Sequence, residues 1–208
     1  MRLYRVPFST NVERVALALA YKGLDAEPVE VDPLNRSVVE QVSGQPLTPV
    51  LEADGGEVIA DSTTILEWLE ERHPDPPLYP SVPAVRAATE LIVDWFDRVW
   101  KAPPNLIVAE REKPQPDRGA LAAWGSELAA SRERFEALLT RGDYLLGSPA
   151  LTVIDVIAFP FLKYAAVAPD PADTDPFHAV LYEHLTTTSH PLLLGWIARM
   201  DQLPRRPA

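Results

Sequence analysis

Residues 47–72 read LTPVLEADGGEVIADSTTILEWLEER, and this stretch holds the local signals that decide the fold. Residues 50–52 and 57–60 are short β-prone runs that flank Asp54-Gly55-Gly56, a turn sequence that predicts a β-hairpin. Residues 62–72 carry apolar side chains at spacings of three and four, which is typical of an amphipathic helix. We therefore expect a hairpin followed directly by a helix.

The residues before the hairpin alternate between strand-like and helix-like patterns. They predict, in order, a strand at 2–6, a helix at 11–22 that Gly23 ends, a strand at 26–31 and a short helix at 36–42. The resulting order, βαβ-α-ββα within about 75 residues, is that of the thioredoxin fold.

Proline marks the boundary between this region and the rest of the chain. Five of the 22 prolines cluster in residues 74–83, PDPPLYPSVP, which can continue neither a helix nor a central strand. We interpret residues 1–75 as an α/β domain, 76–83 as a linker and 84–208 as a second domain.

The second domain is predicted to be all helical. Apolar residues recur at helical spacing in segments 85–100, 117–139, 153–165 and 191–200. Pro103-Pro104 is expected to interrupt the first of these helices, and residues 169–176 are expected to form an acidic, proline-rich surface loop. The chain should thus pair a thioredoxin-like domain with a helical bundle.

Composition excludes several classes of function. With 30 acidic and 19 basic residues, the net charge of −11 repels phosphate and anionic lipid, so neither nucleic acid nor a membrane is an expected partner.

The absence of cysteine excludes disulfides, zinc–thiolate sites and a protein thiol nucleophile, so any sulfur chemistry would use the sulfur of a ligand. The four histidines lack metal-ligand spacing, so no metal is expected. A charged amino terminus and the lack of 18 successive apolar residues make the cytoplasm the expected location.

The turn before the first helix offers a candidate catalytic group. Thr10 and Glu13 have the spacing of a capping box, so Thr10 is the predicted N-cap. Ser9 is then predicted to lie just outside the helix, beside unpaired backbone N–H groups and the positive end of the helix dipole. Its hydroxyl could donate to a ligand's thiolate and lower the pKa of that thiol. The alternative is that Ser9 serves only to cap the helix.

Two further motifs suit the remaining parts of a small thiol peptide. Thr48-Pro49 precedes a strand, and a cis proline there would leave the backbone of Thr48 open to pair with an extended peptide. The alternative is an ordinary proline at a strand edge. Asp61 and Ser62 begin a helix, where Asp61 suits an ammonium group and Ser62 with the free N–H groups suits a carboxylate. The alternative for this pair is again a helix cap.

These residues resemble the glutathione transferase superfamily over essentially the whole chain. The resemblance rests on PFSTNVERVALALAYKGL at 7–24, on LTPVLEADGGEVIADSTTILEWLEERHPDPPLYP at 47–80 and on LTVIDVIAFPFL at 151–162. In the last segment Thr152 and Asp155 match the capping box of a buried helix of that family. The resemblance implies a thioredoxin-like domain, an all-helical domain and a homodimer.

The same resemblance assigns roles to the candidate residues. Ser9 falls at the position that faces the sulfur of glutathione in serine-type and cysteine-type members. Thr48, before Pro49, would pair its backbone with the cysteinyl moiety, and Asp61 and Ser62 would hold the γ-glutamyl group. Glutathione is therefore the expected co-substrate.

The sequence departs from the family pattern in two places. Asp61 stands where the family more often has Glu. At Gln45-Pro46-Leu47 the family usually has Gly-Lys or Gly-Gln followed by an apolar residue, so Gln45 or Arg36 would have to recognise the terminal carboxylate of the ligand. The thiol could therefore be a relative of glutathione.

The resemblance also places an electrophilic substrate against the first long helix of the second domain. The candidate pocket residues there are Trp95, Phe96, Val99, Trp100, Ile107 and Tyr164. The alternative for these side chains is the helical core or a subunit interface.

The expected function is that of an enzyme that activates a small thiol for attack on an electrophilic organic molecule. Two alternatives share the same fold: a non-catalytic protein that binds a thiol peptide or small molecule, and a thiol-dependent isomerase or dehalogenase. A serine hydrolase is not expected, because the chain has no G-x-S-x-G motif.

Overall fold

The computed structural model describes residues 1–207 and confirms the predicted class, an α/β region followed by a mostly helical one. The chain divides into two compact units: Met1–Tyr79 together with the segment from Leu203 onwards, and Pro80–Gln202. The sequence assigned the segment from Leu203 to the second domain, whereas its contacts join it to the first unit.

The first unit has the predicted order of strands and helices. Its elements are β1 (Arg2–Arg5), α1 (Thr10–Tyr21), β2 (Glu27–Glu30), α2 (Ser37–Ser43), β3 (Val50–Glu52), β4 (Val58–Ala60) and α3 (Ser62–Arg72). The strands form one mixed sheet in the order β2-β1-β3-β4. β1 is parallel to β2 and antiparallel to β3, and β3 is antiparallel to β4, as the hairpin signal predicts.

Apolar side chains from both faces of this sheet are buried. Leu3 on β1 and Leu51 on β3 are directly opposite each other and fully buried. α1 and α3 pack against each other, and each contributes fully buried residues such as Leu19 and Ile65. A second cluster contains Tyr4 of β1, Val39 of α2, Val50 of β3 and Val31. The sheet therefore holds the amino-terminal ends of α1 and α3 in fixed positions.

A buried ion pair fixes the proline-rich segment to the first unit. The Nζ atom of Lys22, at the end of α1, donates to Glu70 on α3 and to the carbonyl oxygen of His73, both at 2.7 Å. The carboxylate of Glu70 also accepts the backbone N–H groups of Leu78 and Tyr79 at 3.0 and 3.1 Å. Residues up to Tyr79 therefore pack with the first unit.

The second unit is helical throughout. Its elements are α4 (Pro83–Trp95), a π-helical turn (Phe96–Trp100), α5 (Ala102–Arg111), α6 (Arg118–Leu138), α7 (Val153–Leu162) with a 3₁₀ turn (Lys163–Ala165), α8 (Pro176–Leu185) and α9 (Pro191–Asp201). Within residues 1–207, no helix is both long enough and apolar enough to cross a membrane.

The prolines of this unit begin helices more often than the sequence analysis expected. Pro103 and Pro104 were expected to interrupt a helix. They lie instead in the first turn of α5, where a proline removes no helical hydrogen bond. Pro176 likewise begins α8, a helix that the sequence analysis missed because its start falls in the predicted loop. Asp175 caps α8 by accepting the N–H of Phe177 at 2.9 Å.

α7 is the centre of the second unit, since all ten of its residues are buried. The carboxylate of Asp155 holds this helix in place through the predicted capping box, accepting the N–H and the hydroxyl of Thr152, both at 2.9 Å. It also accepts the N–H of Leu145 and the indole N–H of Trp196, again at 2.9 Å. Burial raises the pKa of Asp155, while these four bonds oppose the rise by favouring the ionised form.

We predict that Asp155→Ala lowers the free energy of unfolding by about 3 kcal/mol, because it leaves several buried N–H groups without an acceptor. Urea denaturation measures the effect, and Glu127→Ala, at an exposed position of α6, is the control. The control should stay within about 0.5 kcal/mol of the parent. Equal stabilities of the two variants would contradict the role of Asp155.

Candidate functional site

Ser9, rather than Thr10, caps α1. The helix begins at Thr10, and the backbone N–H of Val12 donates to Oγ of Ser9 at 3.3 Å. The prediction that Thr10 is the N-cap and that Ser9 lies outside the cap is therefore wrong. Ser9 has the extended backbone that an N-cap needs, at φ −60° and ψ 118°, whereas Thr10 is already helical and buried.

This capping bond leaves the hydroxyl of Ser9 able to donate. A serine hydroxyl has two acceptor lone pairs and one O–H donor, and the N–H of Val12 uses only a lone pair. The oxygen also lies at the positive end of the α1 dipole, where an anion is favoured. Capping and donation to an anion are thus compatible in one side chain.

Ser9 borders an open cavity of about 190 Å³. The residues that line it are Arg5, Val6, Phe8, Ser9, Val12, Glu13, Ala16, Arg205 and Pro207. The carboxyl-terminal segment forms one wall, because the N–H of Arg206 donates to the carbonyl of Ala16 at 2.9 Å and Arg205 pairs with Glu13 at 3.0 Å. Ser9 is only half-buried, so this cavity gives a ligand access to its hydroxyl.

Arg14 connects the start of α1 to the start of α3. Its side chain is 1% exposed, and its Nη1 atom donates to Oγ of Ser62 at 3.2 Å. Arg14 is not among the site residues predicted from the sequence. The sequence feature that could have indicated it is the position of Arg14 four residues after Thr10, which puts a charged residue on the buried face of α1. The guanidinium puts a positive charge behind the amino terminus of α3.

Asp61 is the N-cap of α3, so the expected alternative of a helix cap is present. Its Oδ1 atom accepts the N–H groups of Thr63 and Thr64 at 2.9 and 3.1 Å. Within residues 1–207, no group donates to Oδ2 of this exposed carboxylate. Asp61 therefore caps the helix with one oxygen, and its other oxygen accepts no hydrogen bond within residues 1–207. Ser62, in contrast, is only 3% exposed.

The peptide bond between Thr48 and Pro49 is cis, as expected. Thr48 lies just before β3, and its Oγ1 atom accepts a hydrogen bond from Nη1 of Arg36 at 3.4 Å. The Nε atom of Arg36 donates to the carbonyl of Pro33 at 3.2 Å. This half-buried guanidinium therefore lies beside the proposed pairing edge.

Gln45 uses its amide on its own loop. Its Nε2 atom donates to the carbonyl of Leu47 at 3.0 Å, and its Oε1 atom accepts the N–H of Leu47 at 2.6 Å. The side chain of Leu47 is 71% exposed. Of the two candidates for the terminal carboxylate, Arg36 keeps more donor capacity than Gln45.

Several of the candidate electrophile-pocket residues belong to the core of the second unit. Phe96 and Trp100 are 2% and 4% exposed and stack on each other with ring centroids 4.5 Å apart. Tyr164 is buried and stacks on His178, and Ile107 is buried as well. Trp95 is half-buried and Val99 is exposed. The cavity bordered by Trp95, Val99 and Trp100 measures about 10 Å³, so a substrate site here stays a prediction.

Arg14 thus joins the region of Ser9 to Ser62, and Arg36 reaches Thr48. The cavity beside Ser9 includes neither Thr48 nor the pair Asp61-Ser62 among its lining residues, all of which lie in the described part of the chain. The carboxyl-terminal wall of that cavity had no signal in the sequence, because Leu203 and the residues after it follow the last helix without any pattern.

Comparison with known proteins places these features in a family context. Residues 3–77 match the family model described as glutathione S-transferase, N-terminal domain. Pig glutathione S-transferase omega-1 is 27% identical over 165 residues, which cover 78% of this chain and 66% of the pig protein. A maleylacetoacetate isomerase of Pseudomonas aeruginosa is 38% identical over 93 residues, covering 42% of this chain and 44% of the isomerase.

The fold comparison extends over nearly the whole chain. The crystal structure of a glutathione S-transferase from Rhodospirillum rubrum F11 superposes with a TM-score of 0.72 at 27% identity, covering 99% of this chain and 88% of that one. The two sequence relatives above are matched over less than two thirds of their own length.

We predict that the hydrogen bond between Arg14 and Ser62 couples the two residues by about 1 kcal/mol. In a double-mutant cycle, Ser62→Ala should destabilise the parent by roughly 1–3 kcal/mol, because it leaves a buried guanidinium with one acceptor fewer. The same substitution should cost less in the Arg14→Met background, where no donor remains. Free energies of unfolding from urea titration measure all four proteins, and strict additivity would contradict the coupling.

Proposed function

Because the chain belongs to the glutathione transferase superfamily, we propose that it activates the thiol of glutathione, or of a close relative, for reaction with an electrophilic organic molecule. The observation that carries this proposal is the capping geometry of Ser9. Its oxygen accepts from α1, its O–H remains a donor, and it borders an open cavity. A cysteine-free chain has no thiol of its own, so the reacting sulfur belongs to the ligand.

Ser9 acts as a hydrogen-bond donor in this mechanism and forms no covalent bond. Donation from its hydroxyl stabilises a thiolate more than a thiol, and the positive end of α1 adds to the effect. Both lower the thiol pKa from its free value of about 8.5, and each unit corresponds to roughly 1.4 kcal/mol. A larger fraction of the thiol is then ionised at neutral pH, and the thiolate is the nucleophile.

The rest of the peptide is proposed to bind at the positions that the resemblance indicates. The backbone of Thr48, before the cis Pro49, pairs with the cysteinyl part of the ligand. Oδ2 of Asp61 receives the ligand ammonium group. Ser62 and the start of α3, with the charge of Arg14 behind them, receive the neighbouring carboxylate.

Arg36 is proposed to bind the terminal carboxylate of the ligand. Gln45 is the weaker candidate because both ends of its amide are bonded to Leu47. A guanidinium also suits a carboxylate better than an amide does, because it carries a charge and can donate two parallel bonds.

A second candidate function is thiol-dependent isomerisation at the same site. The 38% identity to a bacterial maleylacetoacetate isomerase over 93 residues of the chain favours it. An isomerase regenerates the thiol, so product forms without net loss of glutathione, whereas conjugation consumes one thiol per product. A non-catalytic binding protein would bind the thiol and turn over no electrophile. The cytoplasmic location and a detoxifying role belong to the main proposal.

The homodimer expected from the resemblance is part of the proposal as well. One face of α4 is covered within the second unit through Thr89 and Val93. The opposite face bears Ala84, Ala87 and Leu91, which are exposed, and the side chain of Leu91 is 72% exposed. A second apolar stripe on one helix is typical of a subunit interface.

We predict that Ser9→Ala raises the pKa of bound glutathione by at least one unit, roughly a tenfold loss of thiolate near neutral pH. Ultraviolet absorbance of the enzyme-bound thiolate, titrated against pH, measures this shift. Conjugation rates with a chlorodinitrobenzene substrate should fall in parallel.

Ser9→Gly is the matched control for the capping role of this residue. Glycine caps a helix almost as well as serine does, so its loss of stability should be a few tenths of a kcal/mol, against about 1 kcal/mol for alanine. If the hydroxyl is the donor, both variants lose the thiolate to the same extent. A Ser9→Gly protein with the parental thiol pKa would remove Ser9 from the mechanism.

We predict that Leu91→Asp separates the dimer, because it puts a charge in the centre of the exposed apolar face of α4. Light scattering coupled to size-exclusion chromatography should show a fall from twice the chain mass to 23.0 kDa. Leu192→Asp, at an exposed position of α9, should leave the mass unchanged. A parent protein that is already monomeric would contradict the proposed interface.

A further inference from the structure

The second unit contains a cavity that the proposed thiol chemistry does not use. It measures about 510 Å³, which is within the range of small-molecule sites. Its lining comes from the start of α4 and from the loop before α7: Pro80, Ser81, Val82, Val85, Thr89, Leu145, Leu146, Gly147, Ser148, Pro149 and Thr152. It shares no lining residue with the cavity beside Ser9.

The lining is neutral although the chain carries a net charge of −11. It combines aliphatic side chains and prolines with hydroxyl groups, and it includes no acidic or basic residue. An ion that enters this half-open cavity loses part of its hydration, and no opposite charge in the lining compensates that loss. The lining therefore selects against charged ligands.

Three of the four hydroxyl groups of the lining, all except that of Ser81, donate their protons to acceptors within the protein. Thr89 donates to the carbonyl of Val85 at 2.9 Å, Ser148 to the carbonyl of Ala150 at 2.6 Å, and Thr152 to the carboxylate of Asp155 at 2.9 Å. Each oxygen keeps a lone pair that can accept. A ligand that contributes an N–H or O–H donor matches this arrangement better than a ligand with acceptors alone.

The loop that closes the cavity is held rigidly. Leu145 is tied to the buried carboxylate of Asp155, and the N–H of Tyr144 donates to the carbonyl of Ser148 at 3.2 Å. Leu146, between these anchors, has a left-handed backbone with φ 60°, which is unfavourable for a leucine. Such a conformation persists where the surroundings fix it, and it is enriched at ligand sites. The cavity is therefore preformed.

We infer that this cavity is a second binding site, for an uncharged, largely apolar small molecule that carries an N–H or O–H donor. Its lining lies wholly within the helical unit and shares no residue with the cavity beside Ser9, so we expect binding there to be separate from the thiol chemistry. Its occupant need not be a substrate.

A matched pair of fluorescent probes tests the chemistry of this site. N-Phenyl-1-naphthylamine is neutral and carries one N–H donor, and 8-anilinonaphthalene-1-sulfonate has the same ring framework with an added sulfonate. Fluorescence titration should show one neutral probe bound per chain, with an affinity at least about tenfold above that of the sulfonate. Excess glutathione should leave the titration unchanged. Equal affinity for the two probes, or displacement by glutathione, would overturn the inference.

Variants locate the binding. Val85→Phe places a larger side chain in the cavity. Because Val85 is 47% exposed, the fold should tolerate the change. The affinity for the neutral probe should fall at least about tenfold. Leu106→Phe, 43% exposed on α5 and outside the lining, is the control and should stay within twofold of the parent. Val82→Phe replaces the first variant if circular dichroism shows that Val85→Phe has not folded. Unchanged binding in a folded cavity variant would place the probe elsewhere and refute the assignment.

Discussion

The buried guanidinium of Arg14 fixes the start of α1 relative to the start of α3, and the proposed thiol site depends on that constraint. Each helix start offers an anion the positive end of a dipole, but one start alone holds only one part of a peptide. Burying a guanidinium is costly unless its donors are bonded, so the bond to Ser62 offsets part of that cost and joins the two helix starts. The same charge lies where the ligand carboxylate is proposed to bind.

The use of Ser9 as a cap changes how its chemistry should be understood. A free hydroxyl at the edge of a helix rotates, and a bond to a thiolate would then have to overcome the entropy of fixing it. In this chain the N–H of Val12 already occupies one lone pair, which directs the O–H of Ser9 away from the helix. The donor is thus oriented before the ligand arrives, and such preorganisation makes electrostatic stabilisation effective.

Local signals predicted most of the fold, and they failed where distant contacts decide the outcome. The Asp54-Gly55-Gly56 turn and the helix ended by Gly23 follow from neighbouring residues alone, and both are present. Thr10 was mistaken for the cap because two adjacent hydroxyls fit the pattern, and only the backbone angles distinguish them. The role of Arg14 depends on a partner 48 residues away, a distance that no periodicity reveals. Thr48 and Asp61 were selected by residue type and position, and their binding roles stay predictions, whereas the carboxyl-terminal wall beside Ser9 was not expected from the sequence.

Strained backbone conformations occur at both candidate sites. Among residues 1–207, the non-glycine residues with a left-handed φ are Phe8, Asp61 and Leu146. Each costs of order 1–3 kcal/mol and survives only where other contacts impose it. Asp61 is held by the two N–H groups that it caps, and Leu146 lies beside Leu145, which is bonded to Asp155. Phe8 directly precedes the cap of α1 and lines the cavity that reaches its hydroxyl. The strained positions therefore coincide with the places where charge, hydroxyl groups and open volume point to a ligand.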